Sequence, residues 1–513
     1  MASSPKKEDG PAVEMEPLTK SKTDEPLIEI SEKDLQGRLT FPLLFALTVC
    51  AGGSSFQFGY AIGVVNTPEK VICQWITDVH NRTTGELLTA TENSFIWSVT
   101  VSMFTVGGMI GGLASGWAAD KLGRKGGMLI NNVLAIVAAL MMALSKPLGN
   151  YYVLMIGRLV IGLNGGLNTG FAPMYLTEIS PINLRGAVGT VHQLIVTISI
   201  LIAQIVGLSF IFGTADLWPW VFALHAVPAI LQLILLPFCP ESPRYNLIVK
   251  NLVEQSEKDL IKLRGKTDVN TEMESMRREA DAMRAVKAVA VVDMFKYPLL
   301  WPLTVAVVMM FSQQLSGINA AMFYSTKIFA SAGLRDWTGQ LATIIMGIVN
   351  VLMTVLSMLL VERFGRRTLH LTGMSGMAVT TVLLVITLTI QKHNPDLSWI
   401  GYSCAVWVYL FVISFATGPG SIPWFFVSEL FRQNARGHAN SIAVLANWSA
   451  NFLVGLLFLP LQGVLQQYVF LVFTAFLIIF IIFTFLFVPE TKGESIDKIA
   501  HRFEERKYLA FKK

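Results

Sequence analysis

The sequence predicts an all-α, multi-pass membrane protein whose twelve transmembrane helices form two halves of six. The first observation is composition, because 53% of the 513 residues are hydrophobic and only 15% are charged, whereas soluble proteins carry about 25% charged residues. The second is that apolar runs of about 20 residues, enough to cross a bilayer core of about 30 Å, recur along the whole chain. The third is that short charged motifs of the first half recur in the second.

The apolar runs define the predicted helices in chain order. A soluble protein with buried helices is the alternative, but no soluble core hides so many such runs. The runs lie at 41–63, 93–118, 127–146, 150–173, 187–211, 218–238, 298–325, 339–361, 368–390, 399–427, 438–459 and 467–488.

The segments outside the apolar runs complete the predicted organisation. The first stretch is polar and charged, which is typical of disorder, and a long charged segment with a helical pattern separates the halves. We expect a disordered cytoplasmic tail at 1–40, the N-terminal half at 41–238, a cytoplasmic helical linker at 239–297, the C-terminal half at 298–488 and a cytoplasmic tail at 489–513.

Basic residues predict the orientation in the membrane. The loops at 119–125 and 362–367 each contain three basic residues, so both are expected on the cytoplasmic side. The loop at 64–92 has mixed charge and contains Asn81 in an Asn-Arg-Thr glycosylation pattern, so we expect it outside the cell. Twelve crossings then place both termini in the cytoplasm.

Several other classes of protein are disfavoured by the residues present. The net charge is only +5 and no basic patch is visible, which argues against nucleic acid as a partner. The four cysteines show no metal-site spacing, and three lie in or beside apolar runs as small hydrophobes. The predicted loops carry no nucleophile–base pair, metal cluster or phosphate loop, so we expect no enzyme, no metal and no cofactor.

The charged motifs repeat in the same order in both halves. Two similar six-helix halves suit a transporter that rocks about a site near the midplane, whereas a channel needs no such symmetry. Clustered carboxylates and arginines could pair between the halves and hold the cytoplasmic side shut in one state, although basic loops also serve as simple anchors. The repeats pair "DKLGRK" at Asp120 with "ERFGRR" at Glu362, "PESPR" at Pro240 with "PETKG" at Pro489, and Glu178 and Arg185 with Glu429 and Arg436.

At this point a family resemblance appears over about 40–495. The motifs "GRLVIGLNGGLNTGFAPMYLTEISPINLRGAVGTVHQL", "PESPRY", "SQQLSGINAAMFYST", "VERFGRRTLHL", "GPGSIPWFFVSELF", "NWSANFLVG" and "VPETKG" resemble the sugar-porter branch of the major facilitator superfamily, in particular the animal facilitative glucose transporters. The resemblance implies twelve helices, alternating access and passive transport of hexose across the plasma membrane, with hexose and membrane lipid as partners. Oligomeric state is not indicated.

The resemblance also implies which residues contact sugar and which form a cytoplasmic gate. The implied sugar contacts, from the fifth, seventh, eighth, tenth and eleventh helices, are Gln193, Gln313, Gln314, Asn319, Asn350, Trp424, Asn447, Trp448 and Asn451. The implied gate residues are Arg124, Glu178, Arg185, Glu241, Arg244, Glu362, Arg366, Glu429, Arg436 and Glu490.

Amide chemistry supports the implied sugar contacts. Gln and Asn offer both donors and acceptors to sugar hydroxyls without the cost of a charge in lipid, although lone membrane amides more often join helices. On an unbroken helix Gln313 and Asn319 would point about 120° apart. Gly317 therefore predicts a break in the seventh helix, and "TGPGSIPW" at 417–424 predicts a kink in the tenth. Trp424 and Trp448 could stack on the sugar, although membrane tryptophans are often interfacial.

Three positions depart from the family pattern. Ala61 stands where proton-coupled sugar porters carry an aspartate, which favours uniport over the alternative of proton–sugar symport. Ala416 replaces a glutamate of the best-known glucose carriers. Met310 begins "MFS" where strict glucose carriers have "QLS", which leaves fructose open beside D-glucose. A sugar sensor that binds without transporting is a further alternative, disfavoured by the short tail after Gly493.

Overall fold

The computed structural model describes residues 35–285, 289–394, 397–492, 494, 498–499 and 501–503. The predicted N-terminal tail lies almost wholly outside the described residues, and the predicted C-terminal tail lies partly outside them. The side chains of Met283, Glu362, Ser398 and Gln433 also lie outside the description.

Within the described residues, twelve long helices, numbered α1 to α12 in chain order, account for the apolar runs, and the predicted fold class is confirmed. α1, α6, α7 and α10 are each interrupted within their length. The helices are α1 Phe41–Gly63, α2 Ala90–Leu122, α3 Arg124–Leu144, α4 Tyr151–Ile179, α5 Arg185–Val206, α6 Trp218–Phe238, α7 Leu300–Ser331, α8 Trp337–Phe364, α9 Arg366–His393, α10 Trp399–Leu430, α11 Gln433–Leu465 and α12 Val469–Phe487.

Length and hydropathy alone identify ten candidate spans among the described residues. One of them, the 54-residue stretch Asn434–Phe487, contains both α11 and α12. α4 is missed because Arg158, Asn164 and Asn168 lie within it and lower its hydropathy, yet all three are buried inside the protein. α4, the one long helix missing from the ten candidate spans, is therefore a helix whose polar side chains face protein and not lipid.

Several helices are longer than the apolar runs that predict them. α4 continues to Ile179 where the apolar run ends at 173, and α11 covers Gln433–Leu465 where the run covers 438–459. A run of apolar residues marks only the part of a helix in contact with lipid. Helical hydrogen bonding continues into the polar ends, because each further residue adds a backbone hydrogen bond.

Shorter helices lie between the long ones. Glu69–Thr84 follows α1, and Val253–Arg264 and Asn270–Ala285 lie in the segment between α6 and α7. Arg264 donates to the backbone oxygen of Ile179 at 2.8 Å, which attaches this segment to the end of α4. Asn81 lies exposed in the last turn of Glu69–Thr84, and its glycosylation stays a prediction.

Two glycines at equivalent positions allow the tight turns between α2 and α3 and between α8 and α9. Gly123 and Gly365 have φ angles of 83° and 89°, a region that residues with a Cβ rarely adopt. A Cβ at Gly123 would lie 2.6 Å from Glu241 Oε2, and one at Gly365 would lie 2.7 Å from Glu490 Oε2. The repeated glycine of "DKLGRK" and "ERFGRR" is therefore required both for its backbone angle and for the approach of a carboxylate.

The predicted breaks in α7 and α10 are both confirmed. α7 consists of Leu300–Gln314 and Ile318–Ser331, joined through Gly317 with φ of 90°. α10 is interrupted between Thr417 and Ile422, at the "GPGS" segment. These interruptions free backbone carbonyls inside the protein, which must then find donors elsewhere.

The two halves meet chiefly where α2 packs on α11 and where α5 packs on α8. Glycines of α2 allow the first of these approaches, since a Cβ at Gly108 would lie 2.4 Å from the Trp448 ring. A Cβ at Gly347 of α8 would likewise lie 2.8 Å from Gln204 of α5. Small residues at such crossings let helices in a membrane pack closely.

Gly317→Ala should lower the unfolding temperature of the purified protein in detergent. The left-handed backbone and a Cβ 2.7 Å from the Phe473 ring should together cost about 1–3 kcal/mol. Gly116→Ala is the matched control, because that helical position has no atom within 4 Å of the new Cβ and should gain slightly. Equal unfolding temperatures for the two variants would contradict a strained backbone at Gly317.

Candidate functional site

Four of the predicted amides hydrogen-bond to one another at the break in α7. Gln314 Nε2 donates to Asn447 Oδ1 at 2.9 Å and to Gln313 Oε1 at 3.3 Å. Asn447 Nδ2 donates to Gln313 Oε1 at 2.7 Å, and Asn319 Nδ2 donates to Gln314 Oε1. All four side chains are buried. The break at Gly317 therefore brings together amides that an unbroken helix would separate.

The break in α10 fixes the orientation of this amide cluster. Gln313 Nε2 donates to the backbone oxygens of Pro419 and Gly420, at 2.9 and 2.8 Å. Because an amide nitrogen cannot accept and a carbonyl cannot donate, the Gln313 oxygen must face its amide neighbours. Asn319 Oδ1 accepts no hydrogen bond from the described part of the chain, so this cluster retains acceptor capacity for a ligand hydroxyl.

The side chains of the remaining predicted amides are not hydrogen-bonded to this cluster or to any other group among the described residues. Gln193 of α5 is half-buried, and Asn350 of α8 is buried. Asn451 of α11 is also buried, and its Oδ1 has no hydrogen-bond partner. Trp424, at the start of the second part of α10, is half-buried. These side chains can therefore still take a partner that the structure does not contain.

Trp448 is placed differently from the expectation. Its side chain is only 2% exposed and packs edge-on against Phe58 and Phe104, with ring centroids 6.0 and 5.7 Å apart. The adjacent Asn447 faces the amide cluster, and consecutive residues on a helix point about 100° apart. Trp448 therefore packs between the two halves, and its stacking on a sugar has no support from this geometry.

Met310, a departure from the family pattern, contacts the amide cluster directly. Its side chain is fully buried, and Asn447 Nδ2 lies 3.5 Å from its sulfur. A thioether is only a weak acceptor. Residue 310 can therefore affect the cluster through Asn447, without presenting a strong hydrogen-bonding group of its own.

A buried polar network in the N-terminal half was not predicted from the sequence. Gln57 Nε2 donates to Asn132 Oδ1 at 2.7 Å, and Asn164 Nδ2 donates to Gln57 Oε1 at 3.2 Å. Arg158 is fully buried, donates to the backbone oxygen of Ala61 at 2.8 Å and lies over the Phe104 ring. An arginine within an apolar run is a signal of function or of internal pairing, and it could have singled out Arg158 from the sequence.

One end of the protein, here named the charged face, contains the predicted gate residues. In the N-terminal half, Arg124 forms two hydrogen bonds with Glu178, at 2.9 and 2.8 Å. Glu241 accepts hydrogen bonds from the backbone N–H of Lys125, at the start of α3, where a helix favours negative charge. Burial raises the pKa of Glu241, and its backbone hydrogen bonds partly offset this.

The C-terminal half repeats this arrangement. Arg366 donates to Glu429 at 3.2 Å, as Arg124 does to Glu178. Glu490 accepts from the backbone N–H groups of Arg366 and Arg367, at 2.8 and 3.0 Å, at the start of α9. Thr491 donates to Glu429, and in the N-terminal half Ser242 donates to Glu178 at 2.5 Å. The sequence repeat thus corresponds to two similar hydrogen-bonded clusters.

Three further predicted gate residues have partners among the described residues. Arg185 donates to the backbone oxygen of Ser180, and Arg436 donates to that of Phe431. Arg244 forms two hydrogen bonds with Glu279 of the segment between the halves, at 3.0 and 2.6 Å. The side chain of Glu362 lies outside the described residues.

These ion pairs lie within each half, whereas we expected them to join the two halves. Arg124 pairs with Glu178, and Arg366 pairs with Glu429, within the same half. The reason is local, since each arginine begins the helix that packs beside the carboxylate-bearing helix of its own half. In this conformation these ion pairs stabilise each half separately.

Several polar side-chain contacts between the halves lie at the opposite end, here named the sealed face. Asn66, just after α1, donates to Ser325 Oγ and accepts from Thr326 in the second part of α7. Ser209 donates to Gln340 of α8 at 2.9 Å. A kink at Tyr324, with φ of −132°, lies next to the Asn66 contacts. Ser325 and Thr326 end the motif "SQQLSGINAAMFYST", whereas Asn66, Ser209 and Gln340 lie outside the motifs quoted above.

The fold and this arrangement define a class of protein. Two similar six-helix halves, joined at one end and enclosing uncharged polar groups at helix breaks, form a membrane transporter of the alternating-access type. The sugar (and other) transporter family matches residues 46–503. The chain belongs to this family.

Relatives agree with this assignment, and solved structures share the fold. The chain is 54% identical over 473 residues to facilitated glucose transporter protein 1 of Caenorhabditis elegans, covering 92% of each chain. It is 44% identical to solute carrier family 2, facilitated glucose transporter member 1 of Gallus gallus, covering 90% of this chain and 94% of that one. The proton:xylose symporter XylE bound to 6-bromo-6-deoxy-D-glucose shares the fold, with a TM-score of 0.75 at 24% identity over 91% of this chain and 100% of that chain.

Glu178→Gln should destabilise the protein far more than Asp120→Asn, although both carboxylates contact Arg124. The side chains of Arg124 and Glu178 are 9% and 15% exposed, whereas Asp120 is 67% exposed. Breaking a buried pair costs about 3–5 kcal/mol, and an exposed pair contributes about 0–1 kcal/mol. Thermal unfolding in detergent measures both, and equal losses would contradict the assignment of Glu178 as the main partner.

Proposed function

We propose that this protein is a facilitative uniporter of hexose, with D-glucose as its principal substrate. The observation that carries the proposal is the uncharged amide cluster of Gln313, Gln314, Asn319 and Asn447 at the breaks of α7 and α10. Neutral donors and acceptors match sugar hydroxyls, which bear no net charge. Identity of 44–54% to facilitated glucose transporters over most of the chain supports the choice of substrate.

The proposed sugar site consists of this cluster together with Gln193, Asn350, Trp424 and Asn451. The side-chain amides of the three added polar residues have no hydrogen-bond partner among the described residues, which leaves them free for substrate hydroxyls. A dissociation constant near 1 mM corresponds to about −4 kcal/mol, within reach of a few net hydrogen bonds. Weak binding suits a carrier, because the sugar must leave at the other side.

Uniport is supported by the surroundings of Ala61. This position carries no carboxylate, and its backbone oxygen accepts from Arg158, so the guanidinium is not paired with an acid there. A proton-coupled mechanism needs a group in the membrane that gains and loses a proton during the cycle. The first span contains no acidic residue that could do this.

The transport cycle follows from the two faces. We place the charged face in the cytoplasm with both termini, and the sealed face outside the plasma membrane, on the basic loops. The state described is then closed to the outside. The ten charged-face residues act as a gate in which each half moves as a unit held by its own ion pairs, Arg124–Glu178 and Arg366–Glu429.

Fructose is a second candidate substrate, and the observation that favours it is the presence of Met310 beside the amide cluster. Its buried thioether touches Asn447 and offers no strong hydrogen bond, so discrimination at this point would rest on shape. Membrane lipid is the other proposed partner.

Purified protein in liposomes tests the function. Labelled D-glucose should equilibrate across the membrane at the same final level with or without a pH gradient. Accumulation of sugar driven by the gradient would overturn uniport in favour of proton symport. Binding without flux would overturn transport in favour of a sensor, and parallel uptake of labelled fructose decides the second substrate.

Gln314→Leu and Gln193→Leu should each reach the membrane yet lose most glucose uptake. The first removes two donated hydrogen bonds within the amide cluster, and the second removes an amide from the facing half. Gln74→Leu is the matched control, because Gln74 is exposed on the helix Glu69–Thr84 and, among the described residues, its side chain hydrogen-bonds only to Asp78. Uptake at the control level by either variant, measured at equal surface expression, would show that its amide does not contact the substrate.

A further inference from the structure

We propose that Glu69 and Lys327 form a gating pair across the two halves, and that protonation of Glu69 favours the state in which the sealed face is closed. This inference goes beyond hexose transport, because it concerns how the surrounding pH sets the conformational equilibrium. It rests on the proposed function only in placing the sealed face outside the cell.

The pair spans the boundary between the halves. Glu69 begins the helix Glu69–Thr84, which follows α1, and Lys327 lies in the second part of α7. The Glu69 Oε1 and Lys327 Nζ atoms are 3.7 Å apart. Three residues before Glu69, Asn66 contacts Thr326, so the carboxylate lies directly beside the hydrogen bonds that close this face.

Burial distinguishes the Glu69–Lys327 pair from the nearby ion pair between Lys70 and Asp336. The Glu69 side chain is only 10% exposed and that of Lys327 is 37% exposed. Lys70 and Asp336 also join the halves, at 3.1 Å, but their side chains are 89% and 78% exposed. An exposed pair contributes little and is screened by salt, whereas a buried carboxylate carries a desolvation cost that depends on its charge.

The titratable groups that face Glu69 come from two elements. Lys327 and Tyr324 face it from α7, and Cys73 lies one turn further along its own helix. Burial raises the pKa of Glu69 to about 7, and the nearby Lys327 ammonium opposes this shift without cancelling it. Desolvation therefore outweighs the ion pair in this site.

The sign of the pH effect follows from the pKa of Glu69 in the closed state and in the open state. In the closed state the pKa is about 7, and once the halves separate the carboxylate meets water and returns towards its ordinary value of about 4.3. Between these values the closed state binds more protons than the open state, so acid stabilises closure. Lowering the pH from about 7.5 to about 5.5 should raise the closed-to-open ratio by about tenfold or more.

Distance measurements by electron spin resonance test this without requiring transport. Spin labels are placed at Arg82→Cys and Thr338→Cys, which are exposed and lie one on each half, in full-length protein in lipid nanodiscs. Cys73→Ser is included in the reference and in all variants, and the other cysteines are buried. We expect the short-distance population to increase on acidification.

Three variants separate this mechanism from a structural role. Glu69→Gln should show the short distance at both pH values and lose the pH dependence that the reference protein shows. Glu86→Gln, exposed on the same side, is the matched control and should retain it. Lys327→Gln should move the midpoint to higher pH, because the ionised carboxylate then lacks its cation.

The results that would overturn the proposal are equally defined. An increase of the long-distance population in acid would mean that the ion pair outweighs desolvation. A pH response that Glu69→Gln leaves intact would assign it to another group. Failure of glucose uptake in liposomes would overturn the proposed function alone, because the distance measurement needs no sugar.

Discussion

The rest of the structure depends on one constraint, which is that a polar group inside a membrane protein must find its partner within the protein. Breaking α7 and α10 exposes backbone groups that would otherwise pair within each helix. Gln313 donates to the freed carbonyls of Pro419 and Gly420. Gln313 thus provides donors for the carbonyls at the break in α10, and the same contact orients the amide cluster at the break in α7. The hydrogen-bonding groups of the site therefore depend on the geometry of both helices.

The same constraint organises the two ends of the protein differently. At the charged face, the described carboxylates of Glu178, Glu241, Glu429 and Glu490 are satisfied by an arginine or by the N–H groups at the start of a neighbouring helix. These contacts can persist while the halves move. At the sealed face, Asn66 and Glu69 find their partners across the boundary, so these contacts must break when that face opens. The ion pairs of the charged face are thus local to each half, whereas the contacts of Asn66 and Glu69 at the sealed face cross the boundary between the halves.

The sequence predicted the elements more reliably than their contacts. The breaks at Gly317 and at "GPGS" were predictable because glycine and proline act locally, through their own backbone angles. α4 was found from its apolar run although Arg158, Asn164 and Asn168 interrupt it. The partner of Arg124 was not predictable in the same way. A repeated motif shows that an arginine and a carboxylate occur together in both halves. It does not show which carboxylate lies nearest to the arginine in space, so the ion pair cannot be assigned from the sequence.

The sequence by itself determined the twelve helices, the repeat of the halves, the resemblance to sugar porters and the neutral character of the site. These features follow from composition and local pattern, which each residue carries wherever it lies. Only the tertiary structure decided that Trp448 packs against Phe58 and Phe104, that Met310 touches Asn447, and that Glu69 meets Lys327 across the halves. The reason is physical, because burial and charge pairing depend on residues far apart in the chain, and desolvation is a property of the assembled surroundings and not of a side chain.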